Sequence, residues 1–394
     1  MDLKFENFRA EHVETLAGYY GKRHDRTCDS TIMDNFLWGG YYHIRFCERD
    51  GKAVLWIMNI DGKDYAALPV CGLEDLPHYF KELEQYFNEE LHLPLEIFLA
   101  DEEAVEYLRL PEDRYSVEEL PDARDYIYSA ESLKVLSGKK LGKKKNHINY
   151  LKREYAGRYE YRTLCCSDGL DVWQFLDKWR AQKGQEVEGH LDYEVEGIHD
   201  ILRNCSAFHV HMGGIYIDGR LEAFAIGSYN EKEKMAIIHI EKANPEIRGL
   251  YQFINQQFLV QEFPDVTLVN REDDLGQEGL RHAKMSYNPC GFARKYLVQQ
   301  KNLDNQEKGR TKDLWREAFP EDSEDFLDYY DQEKMSINQV LVREENGVIQ
   351  SMLHRNPYRL QVRDTFWDAD YIVAVATRTD MRHRGYMRSL LIRM

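Results

Sequence analysis

The chain has no apolar run approaching the roughly 18 uninterrupted residues that a membrane-spanning helix needs. Its opening residues, MDLKFENFRAEHVETL, are acidic and amphipathic, without the basic start and apolar stretch of a secretory signal. The seven cysteines (Cys28, Cys47, Cys71, Cys165, Cys166, Cys205 and Cys290) show neither C-x-x-C spacing nor a framework pattern. That predicts reduced thiols and a cytoplasmic protein. Positive charge is in short supply, with 52 Lys and Arg against 69 Asp and Glu for a net charge of -17. Such a surface as a whole repels nucleic acid and anionic lipid, so a partner of either kind must be met by a local patch. His209 and His211 share a strand face with no third ligand at suitable spacing, which predicts no metal. No Ser-His-Asp or Cys-His arrangement is legible either.

What the chain does have is length and apolar content for two or three domains: 394 residues, 43% hydrophobic. Helical spacing at Val13, Leu16, Tyr19 and Tyr20 precedes strand-like runs at YYHIRFCER, AVLWIMNI and DYAALPV, with turn signals at Asp50-Gly51 and Asp61-Gly62. A helix carrying Leu76, Phe80, Leu83 and Phe87 and a strand at LEIFLA follow. The same order returns after a basic helix expected from about Lys143 to Tyr155, and starts a third time after the polar stretch QQKNLDNQEKGR. The pattern predicts an α/β (α+β) protein with mixed, mainly antiparallel sheets flanked by helices. Its units are residues 1–130, 131–300 and 313–394, with a linker at 301–312.

Two passages line up. IIHIEKANPEIRGLYQFINQQFL and YIVAVATRTDMRHRGYMRSLLIRM each run from an apolar strand through an Arg-Gly pair into an amphipathic helix. The second, with Arg382, Arg384 and Gly385, resembles the R/Q-x-x-G-x-G/A loop of the GNAT acyltransferases, although Met387 stands where a small residue is usual. Backbone N–H groups at such a helix start, with a glycine permitting close approach, cradle a pyrophosphate. The resemblance implies acetyl-CoA at that loop in a completed unit. The strand, helix and hairpin that normally follow are not in the sequence, so the third unit is expected to be an incomplete GNAT domain that binds acyl-CoA poorly. In the first passage Leu250 and Tyr251 follow Gly249, a bulky loop that points away from CoA.

The segments GKKKNHINYLKREYAGRYEYR, GGIYIDGRLEAFAIGSYN, HIEKANPEIRGLYQFINQQF and VNREDDLGQEGLRHAKMSYNPCGFARKY make residues 5–298 resemble the phosphatidylglycerol lysyltransferase C-terminal domain family. That resemblance implies tandem GNAT-like domains without a required cofactor and aminoacyl-tRNA as donor. It also implies a small-molecule or lipid head-group acceptor, and the lack of a legible Ser-His-Asp or Cys-His arrangement predicts direct transfer without a covalent enzyme intermediate. A CoA-dependent acetyltransferase and a non-catalytic module binding tRNA or an amino acid are the alternatives.

Along IIHIEKAN, alternation sets Ile238 and Ile240 on one face and His239 and Glu241 on the other, with Glu241 at the strand end as candidate general base. Pairing with Lys242 or Arg248 is the structural alternative. Asn270, Arg271, Glu272, Asp273 and Asp274 crowd another strand end before a helix bearing Lys284. Glu272 and Asp273 are candidate catalytic groups, and Asn270, Arg271, Arg248, Tyr251 and Lys284 candidate substrate contacts; helix capping by Asp273 or Asp274 is the plainer reading. Lys139, Lys140, Lys143, Lys144 and Lys145 are the local basic patch for tRNA phosphates, or else a solvated helix face.

Overall fold

Both Asp-Gly turns fold as predicted: Asp50 and Gly51 take φ of 54° and 65°, Asp61 and Gly62 φ of 51° and 82°. Paired left-handed residues are what a tight hairpin between right-twisted strands requires. The computed structural model describes residues 3–91, 93–112, 114–182, 189–300, 305–335, 337–345, 347–363 and 365–393. The first half supplies strands β1 (Glu6–Asn7), β2 (Arg45–Arg49), β3 (Ala53–Ile60), β4 (Lys63–Ala66), β5 (Glu96–Asp101), β6 (Tyr115–Glu119) and β7 (Asp125–Ser129). Then come β8 (Tyr159–Thr163), β9 (His211–Ile217), β10 (Arg220–Asn230), β11 (Met235–Ala243), β12 (Leu268–Asn270), β13 (Gly291–Ala293) and β14 (Lys295–Gln300). The last unit has β15 (Gln339–Glu345), β16 (Val348–Val362) and β17 (Thr365–Thr377).

These strands form two seven-stranded mixed sheets, ordered β1-β2-β3-β4-β5-β14-β6 and β13-β7-β12-β11-β10-β9-β8, and a three-stranded sheet β15-β16-β17. The expected α/β architecture of mixed, mainly antiparallel sheets is what the chain adopts. The two large sheets are interlocked. β7 follows the last strand of the first sheet yet pairs in the second, while β14 leaves the second sheet and inserts between β5 and β6 of the first. Each crossing carries an acid or a base into the seam: Asp125 opens β7 and Lys295 opens β14.

The core follows the same seam. Val13, Leu16, Met33, Leu37 and Trp56 from the first unit share one apolar cluster with Phe175, Leu176, Trp179, Ile198, Phe224 and Ile240 from the second. Helix Gly189–Arg203 lies close over helix Ile32–Leu37: a Cβ on Gly197 would stand 2.2 Å from the Leu37 carbonyl oxygen. Thr27, Cys28, Ser30, Ile32, Met33 and Leu37 are therefore buried where the two units meet, while His24 and Arg26 stay exposed.

Two expectations change here. The basic helix begins at Gly138, not near Lys143, and runs to Glu154. Cys166 and Cys205 are joined in a disulfide, so not all seven thiols are reduced; the bridge ties the start of helix Gly169–Gln182 to the end of helix Gly189–Arg203. Cysteines that are 39 positions apart leave no local spacing signal. Among the described residues no helix is long and apolar enough to cross a membrane.

Candidate functional site at the opening of the second sheet

β11 and β12 run parallel and pair only over Met235↔Leu268, Ala236↔Val269 and Ile237↔Asn270. β12 stops at Asn270, whereas β11 continues to Ala243 with β10 on its other edge, so the sheet opens beyond Ile237. Ligands in sheets with parallel pairs gather where strand ends diverge.

A β-bulge sets what enters that opening. β10 pairs Ile226 with Ile240 and Gly227 with Ile238, leaving His239 as the extra residue. One unpaired residue shifts the alternation by one place, which is how bulges re-aim side chains. Hence Ile238 and Ile240 lie on opposite faces, Ile238 among the residues under helix Leu250–Glu262 and Ile240 in the core shared by the two units. The predicted common face of His239 and Glu241 does not form, because strict alternation holds only through an unbulged ladder.

His239 is buried and reaches Ser228 Oγ through Nε2 at 2.7 Å and Glu272 Oε1 through Nδ1 at 2.9 Å. Ser228 Oγ donates to Thr31 Oγ1 at 3.2 Å, so it accepts from His239 Nε2–H and leaves Nδ1 as the lone-pair nitrogen. The hydrogen between Nδ1 and Glu272 is then carried by the carboxyl. The electrostatics agree: burial depresses the His239 pKa to about 4. Burial also lifts Glu272 well above the carboxylate range, with Lys284 opposing and Asp125 and Asp273 adding to the rise. Asp34 is raised well above its usual value by burial and by Asp29 and Glu272, and Asp273 is raised by burial against the pull of Lys295. Asp34, His239 and Glu272 each bring a ligand atom within 4.8 Å of the others, a donor set able to take a divalent cation once the Glu272 proton is lost.

Below this pair sits a buried cation. Lys295 Nζ lies 2.9 Å from Asp29 Oδ2, 3.0 Å from Asp125 Oδ1 and 3.1 Å from Cys28 Sγ. Burial works against its charge, and Asp125 and Asp29 more than offset it, leaving the ammonium firmly protonated. Asp125 Oδ2 accepts from the Cys28 N–H at 2.5 Å and from Asn270 Nδ2 at 2.9 Å. The Cys28 thiol is pushed well up by burial and by Asp125, the reverse of an activated nucleophile.

The predicted residues divide by position. Glu272 and Asp273 lie at the opening. Asn270 is a brace: Oδ1 accepts from the Glu272 N–H at 2.6 Å, and Nδ2 also reaches the Arg26 carbonyl at 2.7 Å. Glu241 points to the other face of the sheet, where it accepts from Asn255 Nδ2 at 2.8 Å and pairs with Arg271 Nη2 at 3.1 Å, not with Lys242 or Arg248. Lys284 is buried and donates to the carbonyls of Arg271 (2.6 Å) and Asp273, fixing the loop that carries Glu272; burial lowers its pKa. Arg248 is exposed and stacks on Tyr150 at 4.9 Å. Tyr251 is held by Trp179 and the Ala243 backbone.

Of the lysines, Lys139, Lys140, Lys143 and Lys145 are exposed along the basic helix. Lys144 is half buried, 4.2 Å over the Tyr287 ring, whose centroid also lies 4.9 Å from Arg271. The basic helix therefore packs on the Glu241–Arg271 face of the sheet. Arg382, Arg384 and Gly385 form an exposed helix start far along the chain, with Gly385 at φ 83°. Gly249 has the matching φ of 89°, but a Cβ there would meet the His147 carbonyl oxygen at 2.3 Å. The close approach in the second unit is made to the basic helix itself, at the His147 carbonyl. Sequence reasoning missed Asp34, Asp125, His239 and Lys295 as site residues, since each reaches the site through a bulge or a strand crossing rather than through spacing.

Comparison with known proteins follows this anatomy. The family described as "Phosphatidylglycerol lysyltransferase, C-terminal" matches residues 22–299, and the acetyltransferase (GNAT) domain family matches residues 299–394. The crystal structure of a conserved protein of unknown function from Bacteroides thetaiotaomicron is 27% identical, superposes with a TM-score of 0.70, and covers 76% of this chain and 100% of its own. L-PGS from Bacillus licheniformis shares the fold at 15% identity and a TM-score of 0.56, over 77% of this chain and 95% of its own. An uncharacterized protein of Mycoplasmoides gallisepticum is 25% identical over 209 residues, 52% of this chain and 65% of that protein, so the match spans less than two thirds of this curated relative. The match over residues 22–299, more than half the sequence, places the chain in the phosphatidylglycerol lysyltransferase C-terminal family, an acyltransferase family of the GNAT fold.

Proposed function

We propose that the chain transfers an aminoacyl group from aminoacyl-tRNA to an amine or hydroxyl acceptor at the opening between β11 and β12. The observation carrying this reading is the Glu272 carboxyl 2.9 Å from Nδ1 of the buried His239, with burial raising the carboxyl and lowering the imidazole. Attack of an acceptor amine on the ester carbonyl forms the new C–N bond, breaks the C–O bond to the ribose, and moves one proton from nitrogen to the ribose oxygen. Glu272 takes the amine proton on one oxygen and gives the proton it holds to the departing ribose oxygen, so the carboxyl ends neutral as it began. His239, kept neutral by burial, orients that carboxyl through Nδ1 and takes no proton itself. Lys295 balances charge beneath the site, and the raised Cys28 thiol supports direct transfer without an acyl-enzyme.

Lys139, Lys140, Lys143 and Lys145 would hold tRNA phosphates, with Lys144 linking that surface to Tyr287 and Arg271. In the second reading acetyl-CoA is the donor, with Arg382, Arg384 and Gly385 receiving its pyrophosphate. The test is binding of aminoacyl-tRNA and of acetyl-CoA across a salt series. Each phosphate contact contributes roughly 0.7 to 0.9 to the log–log salt slope, so replacing the four exposed lysines with alanine should flatten it by about 3. An unchanged slope, or tight acetyl-CoA binding with none for tRNA, overturns the donor assignment.

A further inference from the structure

The first sheet opens in the same way as the second. Its one parallel contact among the described residues is Ala66↔Ile97, beyond which β4 and β5 diverge. In that divergence lies a cavity of about 60 Å³, walled by Tyr20, Trp56, Met58, Leu68 and Phe98. At about 10–15 Å³ per water this is room for roughly four to six waters, the size of a small amino-acid head. Asp29 lines the cavity and also pairs with Lys295, so the cavity and the site at the second opening share a wall.

Its polar end is built and incompletely satisfied. The Arg23 side chain is 9% exposed; Nη2 pairs with Asp101 Oδ2 at 2.6 Å and Nη1 donates to the Pro69 carbonyl at 2.7 Å. Its Nε is buried and has no hydrogen-bond partner among the described residues. Asp25 Oδ1 accepts from the N–H and the hydroxyl of Thr27 at 2.8 and 2.7 Å, while Oδ2 stands 4.0 Å from Arg23 Nη2, beyond hydrogen-bond reach. Two carboxylates thus face one guanidinium that is already paired with Asp101. Burial and Asp101 hold Asp25 up to about 8, against the pull of Arg23 and the Thr27 hydrogen bonds. A buried donor without an acceptor is costly unless a ligand supplies one.

We propose that this cavity receives the acceptor through an amino-acid-like head, its ammonium on Asp25 and a carbonyl or carboxylate oxygen on Arg23 Nε. This deepens the transferase reading and rests on it for the word acceptor; the binding itself does not. The cavity selects against a phosphodiester head, which would meet Asp25 and Asp101 with only Arg23 Nε left to answer its charge.

Isothermal titration of the full chain with glycinamide and with glycerol 1-phosphate tests the proposal, using Asp25→Asn and the cavity-filling Ala67→Leu as variants. Glycinamide should bind the wild type, glycerol 1-phosphate should bind at least tenfold more weakly, and both variants should lose at least tenfold in glycinamide affinity while keeping the wild-type unfolding transition. Tighter binding of glycerol 1-phosphate, or glycinamide binding that both variants leave unchanged, overturns it. Aminoacyl-tRNA binding measured on the same samples separates the two claims. Lysine-dependent tRNA binding without glycinamide binding removes the cavity assignment alone. Glycinamide binding without tRNA binding removes the donor and leaves the cavity in place.

Discussion

Replacing Lys295 with methionine removes the ammonium that Asp125 and Asp29 face in the interlocked seam while keeping most of its volume. In the native chain Asp125 is fully buried, and its Oδ1 has the Lys295 ammonium at 3.0 Å and no other partner among the described residues. The variant leaves that carboxylate without a counter-charge, and breaking a buried pair in this way costs about 3–5 kcal/mol. At roughly 2–4 °C per kcal/mol for a domain of a few hundred residues, the melting temperature should fall by about 6–20 °C. The assay is equilibrium denaturation of the single variants Lys295→Met and Asp125→Asn and of the double variant. Neutralising both partners removes the unpaired charge, so the double variant should be less destabilised than the two single effects added, by about 1–3 kcal/mol of coupling. A Lys295→Met variant as stable as the wild type, or strict additivity, would refute the claim that this pair holds the seam.

Gly249→Ala places a methyl 2.3 Å from the His147 carbonyl at a φ of 89°, so the variant should lose about 2 kcal/mol or more in a denaturation curve. His239, neutral when folded with a pKa near 4, makes the unfolded chain the stronger proton binder below its ordinary value of about 6.5. Its contribution to stability is therefore full above about pH 6.5 and declines by about 3 kcal/mol as pH falls to about 4. Glu272 and Asp34, with raised pKa values, act in the opposite sense, so the readout is the difference between wild type and His239→Gln across that window; a flat difference refutes it. Opening the Cys166–Cys205 bridge with a dithiol frees a 39-residue loop and should cost up to about 4 kcal/mol by loop entropy, seen as a lower denaturation midpoint that Cys166→Ser no longer shows.

Local chemistry explains what was legible in the sequence. Asp-Gly turns, apolar alternation and the repeated strand–Arg-Gly–helix passage carry their structure within a few residues, and they yielded the sheets, the hairpins and the paired loops around Gly249 and Gly385. Glu272 and Asp273 were legible because many polar groups follow one apolar strand. The rest of the site depends on distant pairing. His239 is aimed by a bulge that only the β10 register reveals, and Lys295 meets Asp125 across 170 positions because β7 and β14 exchange sheets. Glu241 shared a predicted face with His239 only under unbroken alternation. Asp25 and Arg23 lie in a segment whose role depends on both units closing over it.

The most direct test of the transfer chemistry is a single-turnover reaction of labelled aminoacyl-tRNA with an amine acceptor, comparing the wild type with Glu272→Gln. Glutamine can still donate to His239 Nδ1 but cannot take up or release the proton. The account predicts that the wild type moves the label to the acceptor and that the variant binds tRNA equally well yet reacts about a hundredfold or more slowly. Equal rates in the two proteins, or transfer that proceeds only with acetyl-CoA, would contradict it.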